Sequence, residues 1–275
     1  MKFNSLYLIA FAFLISVFYF YAVRMPADTI PRDHAYNEPG EYPLYDPEMA
    51  PEEIRGKVKR GFQLMFETVE ELPEYVGGRI SCSNCHFNGG NNLGGRSCGY
   101  SLVGVVHKYP RHLPNGDEYT LAERMNSCFL KSLNGKQLPV DSEEMDALVT
   151  YLEWISSGIP KLDSYPWMGG QKLESTHVAD YNNGEKLFGM KCAPCHGENG
   201  EGQHRPYQLD YPPLWGEHAF NDAAGMNMPH IFTYFIYKNM PYNEPKLSVE
   251  EAMDIAEFVT KQPRPKFNPP AGYDY

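Results

Sequence analysis

The sequence predicts a mainly α protein: two fused copies of one small helical module behind an N-terminal apolar segment. Three observations predict it. The pentapeptide C-x-x-C-H occurs twice, as Cys82-Ser83-Asn84-Cys85-His86 and Cys192-Ala193-Pro194-Cys195-His196, 110 residues apart. Each copy is followed by an amphipathic helical pattern opened by a capping box. In the first, Asp141 and Glu144 precede Met145, Leu148, Leu152 and Ile155; in the second, Ser248 and Glu251 precede Ile255, Phe258 and Val259. Finally, Leu6 to Val23 is a run of 18 uncharged residues between Lys2 and Arg24.

At about 1.5 Å per residue that run nearly crosses a bilayer core. It is longer than a secretory signal's apolar region, and around Ala27 it offers only a poor cleavage site. The expectation is an uncleaved anchor over residues 1–24, inserted through residues 6–23, with the rest of the chain in the periplasm; a cleaved export signal is the alternative. Met25 to Pro51 is Pro-rich and acidic, and is expected to wrap the first module or tether it. The modules are expected at 25–158 and 179–275, joined by a surface linker at 159–178 that has two Pro, two adjacent Gly and no clean period.

Composition fits a folded, soluble chain, with 42% hydrophobic and 21% charged residues. The net charge of -11 argues against a nucleic-acid partner. An anionic substrate would need a local cluster of arginine or lysine working against the overall field.

In C-x-x-C-H two thiols can form thioethers to the haem vinyl groups, and the adjacent histidine can bind the iron. Two copies in an exported chain therefore predict two covalently attached haem c groups, held by Cys82, Cys85 and His86 and by Cys192, Cys195 and His196. The flanks agree. Gly184-Glu185-Lys186-Leu187-Phe188 resembles the N-terminal helix of class I cytochromes c, where glycine permits a close helix crossing, and Gly61 to Phe66 stands in a comparable place before the first motif. Two fused class I cytochrome c domains are what this resemblance implies.

Each iron needs a distal ligand or an open position. In the second module Met240 lies 44 residues after His196, behind the helical pattern Ile231, Tyr234, Phe235 and just before Pro241. A thioether there would raise the reduction potential. Met226 and Met228 are the rivals. In the first module the nearest sulfur at this distance is Cys128, 42 residues after His86. Thr120 and Glu123 form a capping box, Leu121, Met125, Cys128 and Phe129 make one apolar stripe, and Gly135 closes the helix. Three readings stay open on residues alone: Cys128 as iron ligand, a Cys98–Cys128 disulfide between the two leftover cysteines, and Met125 as ligand.

The chain also resembles the dihaem thiosulfate dehydrogenases over nearly all of residues 60–265. The likeness runs through Tyr75-Val76-Gly77, Leu102-Val103-Gly104-Val105, Tyr109-Pro110-Arg111, Glu123-Arg124-Met125-Asn126-Ser127-Cys128-Phe129, Ser132-Leu133-Asn134-Gly135-Lys136, Lys238-Asn239-Met240-Pro241 and Pro263-Arg264-Pro265. The stretch around Cys128 is the specific part. The resemblance implies that two thiosulfate ions are coupled to tetrathionate, or the reverse, at the first haem. Cys128 would be its distal ligand, and Arg124 and Arg111 would hold the anion. Electrons would pass to a second haem ligated by Met240 and on to an acceptor cytochrome. Cys98 falls outside the family pattern, and Leu113 to Glu118, with Asn115-Gly116-Asp117 as a turn, lengthens the gap between the two arginines. A dihaem electron carrier with no chemistry of its own is the alternative on the two motifs alone.

Overall fold

The structure is a computed structural model, and it describes residues 42–114, 116–205, 210–271 and 273. The expected anchor over residues 1–24 lies outside the described residues, as does the first part of Met25 to Pro51. Among the described residues no helix is long and apolar enough to cross a membrane.

Each half is built on three long helices. In the first they are α1 (Glu52–Phe66), α2 (Leu121–Lys131) and α3 (Glu143–Ser156). In the second they are α4 (Tyr181–Lys191), α5 (Pro229–Asn239) and α6 (Val249–Thr260). A two-residue hairpin, β1 (Arg111–His112) against β2 (Glu118–Tyr119), leads directly into α2. Helix is therefore the dominant element, as the periodicities require.

The first and last helices of each half cross closely, and a glycine sets the distance. A Cβ on Gly61 of α1 would lie 2.2 Å from the Ala147 carbonyl oxygen of α3. A Cβ on Gly184 of α4 would lie 2.0 Å from the Asp254 carbonyl oxygen of α6. Neither gap admits a side chain. Around these crossings Val58, Leu64, Met145, Tyr151 and Ile155 fill the first core, and Phe188, Ile255, Ala256 and Val259 the second.

The capping signals hold with one shift of register. Thr120 with Glu123 and Ser248 with Glu251 make both bonds of a capping box. Asp141 does not cap α3. Ser142 does, because it is the residue with extended backbone (φ -74, ψ 154) and its hydroxyl accepts the Met145 N–H. Gly135 does not close α2, which ends at Lys131; the left-handed residue that turns the chain is Asn134 (φ 50).

The segment 159–178 differs from a surface linker over its first half. Ile159 and Tyr165 are buried, and the Trp167 indole N–H donates to the Val103 carbonyl at 2.9 Å. Large apolar side chains at these positions pull an otherwise irregular strand into the first core. The two halves also share contacts of their own. Asn221, which is 1% exposed, donates its side-chain N–H to the Leu130 carbonyl of α2. Tyr100 donates its hydroxyl to the Ile231 carbonyl of α5.

Candidate functional site

Both C-x-x-C-H motifs form short helical turns. The first runs over Cys82–Asn84 and the second over Ala193–His196. In each, the histidine ring is held by its Nδ1 atom. His86 Nδ1 lies 2.9 Å from the Tyr100 carbonyl oxygen, and His196 Nδ1 lies 2.9 Å from the Pro212 carbonyl oxygen. A carbonyl can only accept, so Nδ1 carries the proton and Nε2 keeps its lone pair, the state an iron ligand requires. Burial lowers the pKa of both imidazoles, that of His86 to about 4, which keeps them neutral at physiological pH. No disulfide joins any of the six cysteines. Four sit in pairs beside these rings, as haem attachment needs. Near the second motif the Arg264 Nε is a buried donor with no acceptor among the described residues. An added anionic group such as a haem propionate would satisfy it. The residues present thus fit haem c.

Cys98 and Cys128 are not joined. The Cys98 thiol lies against the Arg96 carbonyl at 3.4 Å, on a loop that packs toward the end of α5. Cys128 is half-buried on α2, and its sulfur accepts a hydrogen bond of 2.9 Å from Arg124 Nη1, one helical turn earlier. Met125 is half-buried one turn before Cys128 on the same helix.

This sulfur is electrostatically close to the first motif. Burial is the main cause that pushes Cys82 up to about 11 and Cys85 up to about 12, and the Cys128 charge adds to both. Arg124 in turn disfavours a charged His86. Arg124 is itself held more firmly cationic, first by the Cys128 sulfur and then by the phenols of Tyr109 and Tyr119.

Arg111, thirteen residues before Arg124, lies on the hairpin and shares Tyr109 with it as a neighbour. The Leu113 N–H donates to the Asp117 carbonyl, the Gly116 N–H to the Leu113 carbonyl, and Arg111 pairs with Tyr119 across the ladder. Its guanidinium carbon lies 4.7 Å from the centre of the Tyr109 ring. Sequence reading missed Tyr109 and Tyr119 as members of this cluster; their only local signal is an aromatic on either side of the Asn115-Gly116-Asp117 turn.

In the second half, Met240 follows α5 in extended backbone (φ -124, ψ 146) and is half-buried. Met226 is buried in a short 3₁₀ turn, and Met228 is 49% exposed at the start of α5.

The chain matches two family descriptions, "SoxA/TsdA, cytochrome c domain" over residues 76–160 and "Cytochrome c" over residues 181–263. It is 38% identical over 225 residues to the thiosulfate dehydrogenase of Thiomonas intermedia, covering 80% of this chain and 70% of that one. To the enzyme of the same name from Allochromatium vinosum it is 34% identical, covering 78% and 81%. The chain belongs to the thiosulfate dehydrogenase family. A third member of the family, from Psychrobacter arcticus, is 37% identical over 78% of this chain, which spans 65% of that relative's length. Among solved structures the thiosulfate dehydrogenase TsdBA from Marichromatium purpuratum superimposes with a TM-score of 0.76 at 27% identity. It covers 84% of this chain, and this chain covers 51% of it. Membership of a cytochrome c family carries covalently bound haem c with it, and one matched stretch falls in each half, the first beginning after α1.

Proposed function

We propose that this protein is a dihaem thiosulfate dehydrogenase that joins two thiosulfate dianions into tetrathionate at the Cys128 side of its first haem. The observation that carries the reading is the 2.9 Å contact between Arg124 Nη1 and the Cys128 sulfur, beside the first C-x-x-C-H turn. A bare electron carrier has no use for a thiol paired with an arginine at the haem; sulfur chemistry on an anion needs both.

Cys82, Cys85, His86 and Cys128 would hold the first haem, and Cys192, Cys195, His196 and Met240 the second. Bound haem supplies the acceptor for the two electrons that the coupling releases. The chain's own residues do the rest. Arg124 and Arg111 bind the sulfonate end of a thiosulfate dianion, where a planar guanidinium can make two parallel hydrogen bonds. That leaves the sulfane sulfur facing Cys128. The Cys128 thiolate and the sulfane sulfur form one S–S bond with loss of two electrons, giving an S-sulfonate disulfide adduct on the protein. A second thiosulfate attacks the sulfane sulfur of the adduct; its S–S bond to Cys128 breaks, tetrathionate leaves, and the thiolate is restored. Arg124 stays hydrogen-bonded to the departing Cys128 sulfur. The electrons would go on to an external redox protein such as a cytochrome. Localisation follows from the cofactor: the chain works outside the cytoplasm, held at the inner membrane by residues 6–23.

The test is Cys128→Ala. Thiosulfate-dependent reduction of an acceptor is expected to fall to background while both haems stay covalently attached, read by mass. The low-spin thiolate signal in electron paramagnetic resonance should vanish. Turnover near the wild-type level in this variant would sink the mechanism.

A further inference from the structure

Arg124 is hydrogen-bonded to the Cys128 sulfur in a chain of net charge -11 and Arg111 lies on the hairpin that leads into the same helix, yet among the described residues neither is ion-paired with a carboxylate. An aromatic ring supports Arg111 instead. The Arg111 guanidinium lies over the face of Tyr109 at 4.7 Å, and Tyr109 meets Tyr119 edge to face at 6.0 Å. Tyr119 is the ladder partner of Arg111, so the hairpin closes a small ring of Arg111, Tyr109 and Tyr119 at the start of α2. Arg124, one turn into that helix, acts on both phenols.

We infer that Tyr109 is a positioning residue for the anion site: it holds Arg111 and Arg124 on one face beside Cys128 without neutralising either. This rests on the reading that the two arginines bind the sulfur oxoanion. The physical reason lies in the choice of support. A carboxylate would orient a guanidinium equally well but would cancel its charge, and a substrate carrying two negative charges would then meet a neutral pair. An aromatic face orients a guanidinium through its quadrupole and leaves the full charge for a ligand. Burial raises the Tyr109 pKa, so the phenol stays neutral and adds no charge of its own. Tyr109 thereby sets affinity for dianions, while Cys128 sets the chemistry.

Three holoenzyme variants test this: Tyr109→Phe, Tyr109→Leu and Tyr109→Glu. Two binding readouts are used: KM for thiosulfate, and the calorimetric Kd of tetrathionate added to the fully oxidised protein, which has no electrons to give. Tyr109→Leu should raise both about tenfold with kcat within about twofold. Tyr109→Phe, which keeps the ring under Arg111, should raise them less. Tyr109→Glu should raise them most, because it neutralises the pair. In a double-mutant cycle, Arg111→Ala should weaken binding in the wild-type background and do little more in Tyr109→Leu. Unchanged electron paramagnetic resonance of the first haem shows that the variants are folded; if Tyr109→Leu loses that signal, Tyr109→Phe and Tyr109→Glu carry the comparison. Binding constants within twofold of wild type across the series, or strict additivity with Arg111→Ala, overturns the inference. If Arg111→Ala and Arg124→Ala themselves leave binding unchanged, the substrate reading fails first. If they weaken it while Tyr109 variants do not, only the positioning role fails.

Discussion

Cys128 and Arg124 meet because a helix brings residues four apart onto one face, and this is why the pair was legible in the sequence. The two C-x-x-C-H motifs were legible for the same reason, since all their chemistry sits within five residues. Arg111 was not placed by spacing, because its approach depends on a hairpin with strands of two residues, too short to leave an alternating pattern. The pairing of Arg124 with the Cys128 sulfur leads to a direct expectation. Arg124→Gln removes the charge and keeps a hydrogen-bond donor of similar length. It should raise KM for thiosulfate by about tenfold to a hundredfold, the loss expected for a charge-assisted contact worth roughly 1.5 to 3 kcal/mol. The increase should shrink as salt is added, since the missing term is electrostatic. Steady-state kinetics at two ionic strengths reads both effects.

At the scale of the elements, the helix periods and two of the three capping boxes were readable, and the glycines at the crossings marked which helices touch. What the pattern could not supply was the polar hub that fixes α6. Asp254 is 2% exposed, a position where the helical stripe predicts an apolar residue. It accepts hydrogen bonds from the Asp180 N–H at 2.7 Å and the Asn183 side chain at 2.7 Å, and it lies 2.6 Å from His177 Nε2. These partners all come from residues 177–183, so one carboxylate ties the approach to α4 onto α6. Burial by itself would raise its pKa, but the donors outweigh burial, and the net shift is below the ordinary 3.8. A carboxyl depressed in the folded state stabilises above its unfolded pKa, and that contribution is lost as pH falls from about 3.8 through the folded value. Asp254→Asn should therefore lose about 1 to 3 kcal/mol at neutral pH, by weakening charge-assisted bonds in a buried site. The gap between the variant and wild type should close as the pH is taken below 3.8. Chemical denaturation at pH 7 and at the lowest pH that keeps the protein soluble measures it, and an unchanged gap would show that the charge of Asp254 contributes nothing.

Over the whole molecule, the repeat in the sequence suggests two domains on a string, whereas the described residues from Tyr42 onward form one compact unit. The reason is visible at the end of α2. A helix leaves its last carbonyls without partners, and here the second half supplies them. Asn221 donates its side-chain N–H to the Leu130 carbonyl at 2.8 Å and its backbone N–H to the Lys131 carbonyl at 3.1 Å. Its side chain also reaches Asn134 Oδ1 at 3.1 Å, at the left-handed turn that follows. From the far end of the chain, the Tyr273 hydroxyl bonds to Ser127 Oγ at 3.1 Å, next to Cys128. The helix that bears Cys128 is thus capped and braced by the second half. No local pattern encodes this, because the partners of Asn221 lie about ninety residues away in sequence. Two consequences follow for the holoprotein. Thermal unfolding should be a single cooperative calorimetric transition, since separating the halves strands buried carbonyls on α2. Asn221→Ala removes three side-chain bonds, the two that reach the first half and the one its Oδ1 accepts from the Ala223 N–H, keeps the backbone one, and leaves the Leu130 carbonyl and Asn134 Oδ1 unsatisfied. It should cost about 2 to 4 kcal/mol and lower Tm by roughly 4 to 16 °C for a unit of this size. Because Asn221 touches neither motif, haem attachment should be complete in the variant. Its thiolate signal should broaden as α2 loosens. Two separated transitions in the wild type, or an Asn221→Ala variant as stable as its parent, would mean that the halves stand independently and that the brace on Cys128 comes from α2 alone.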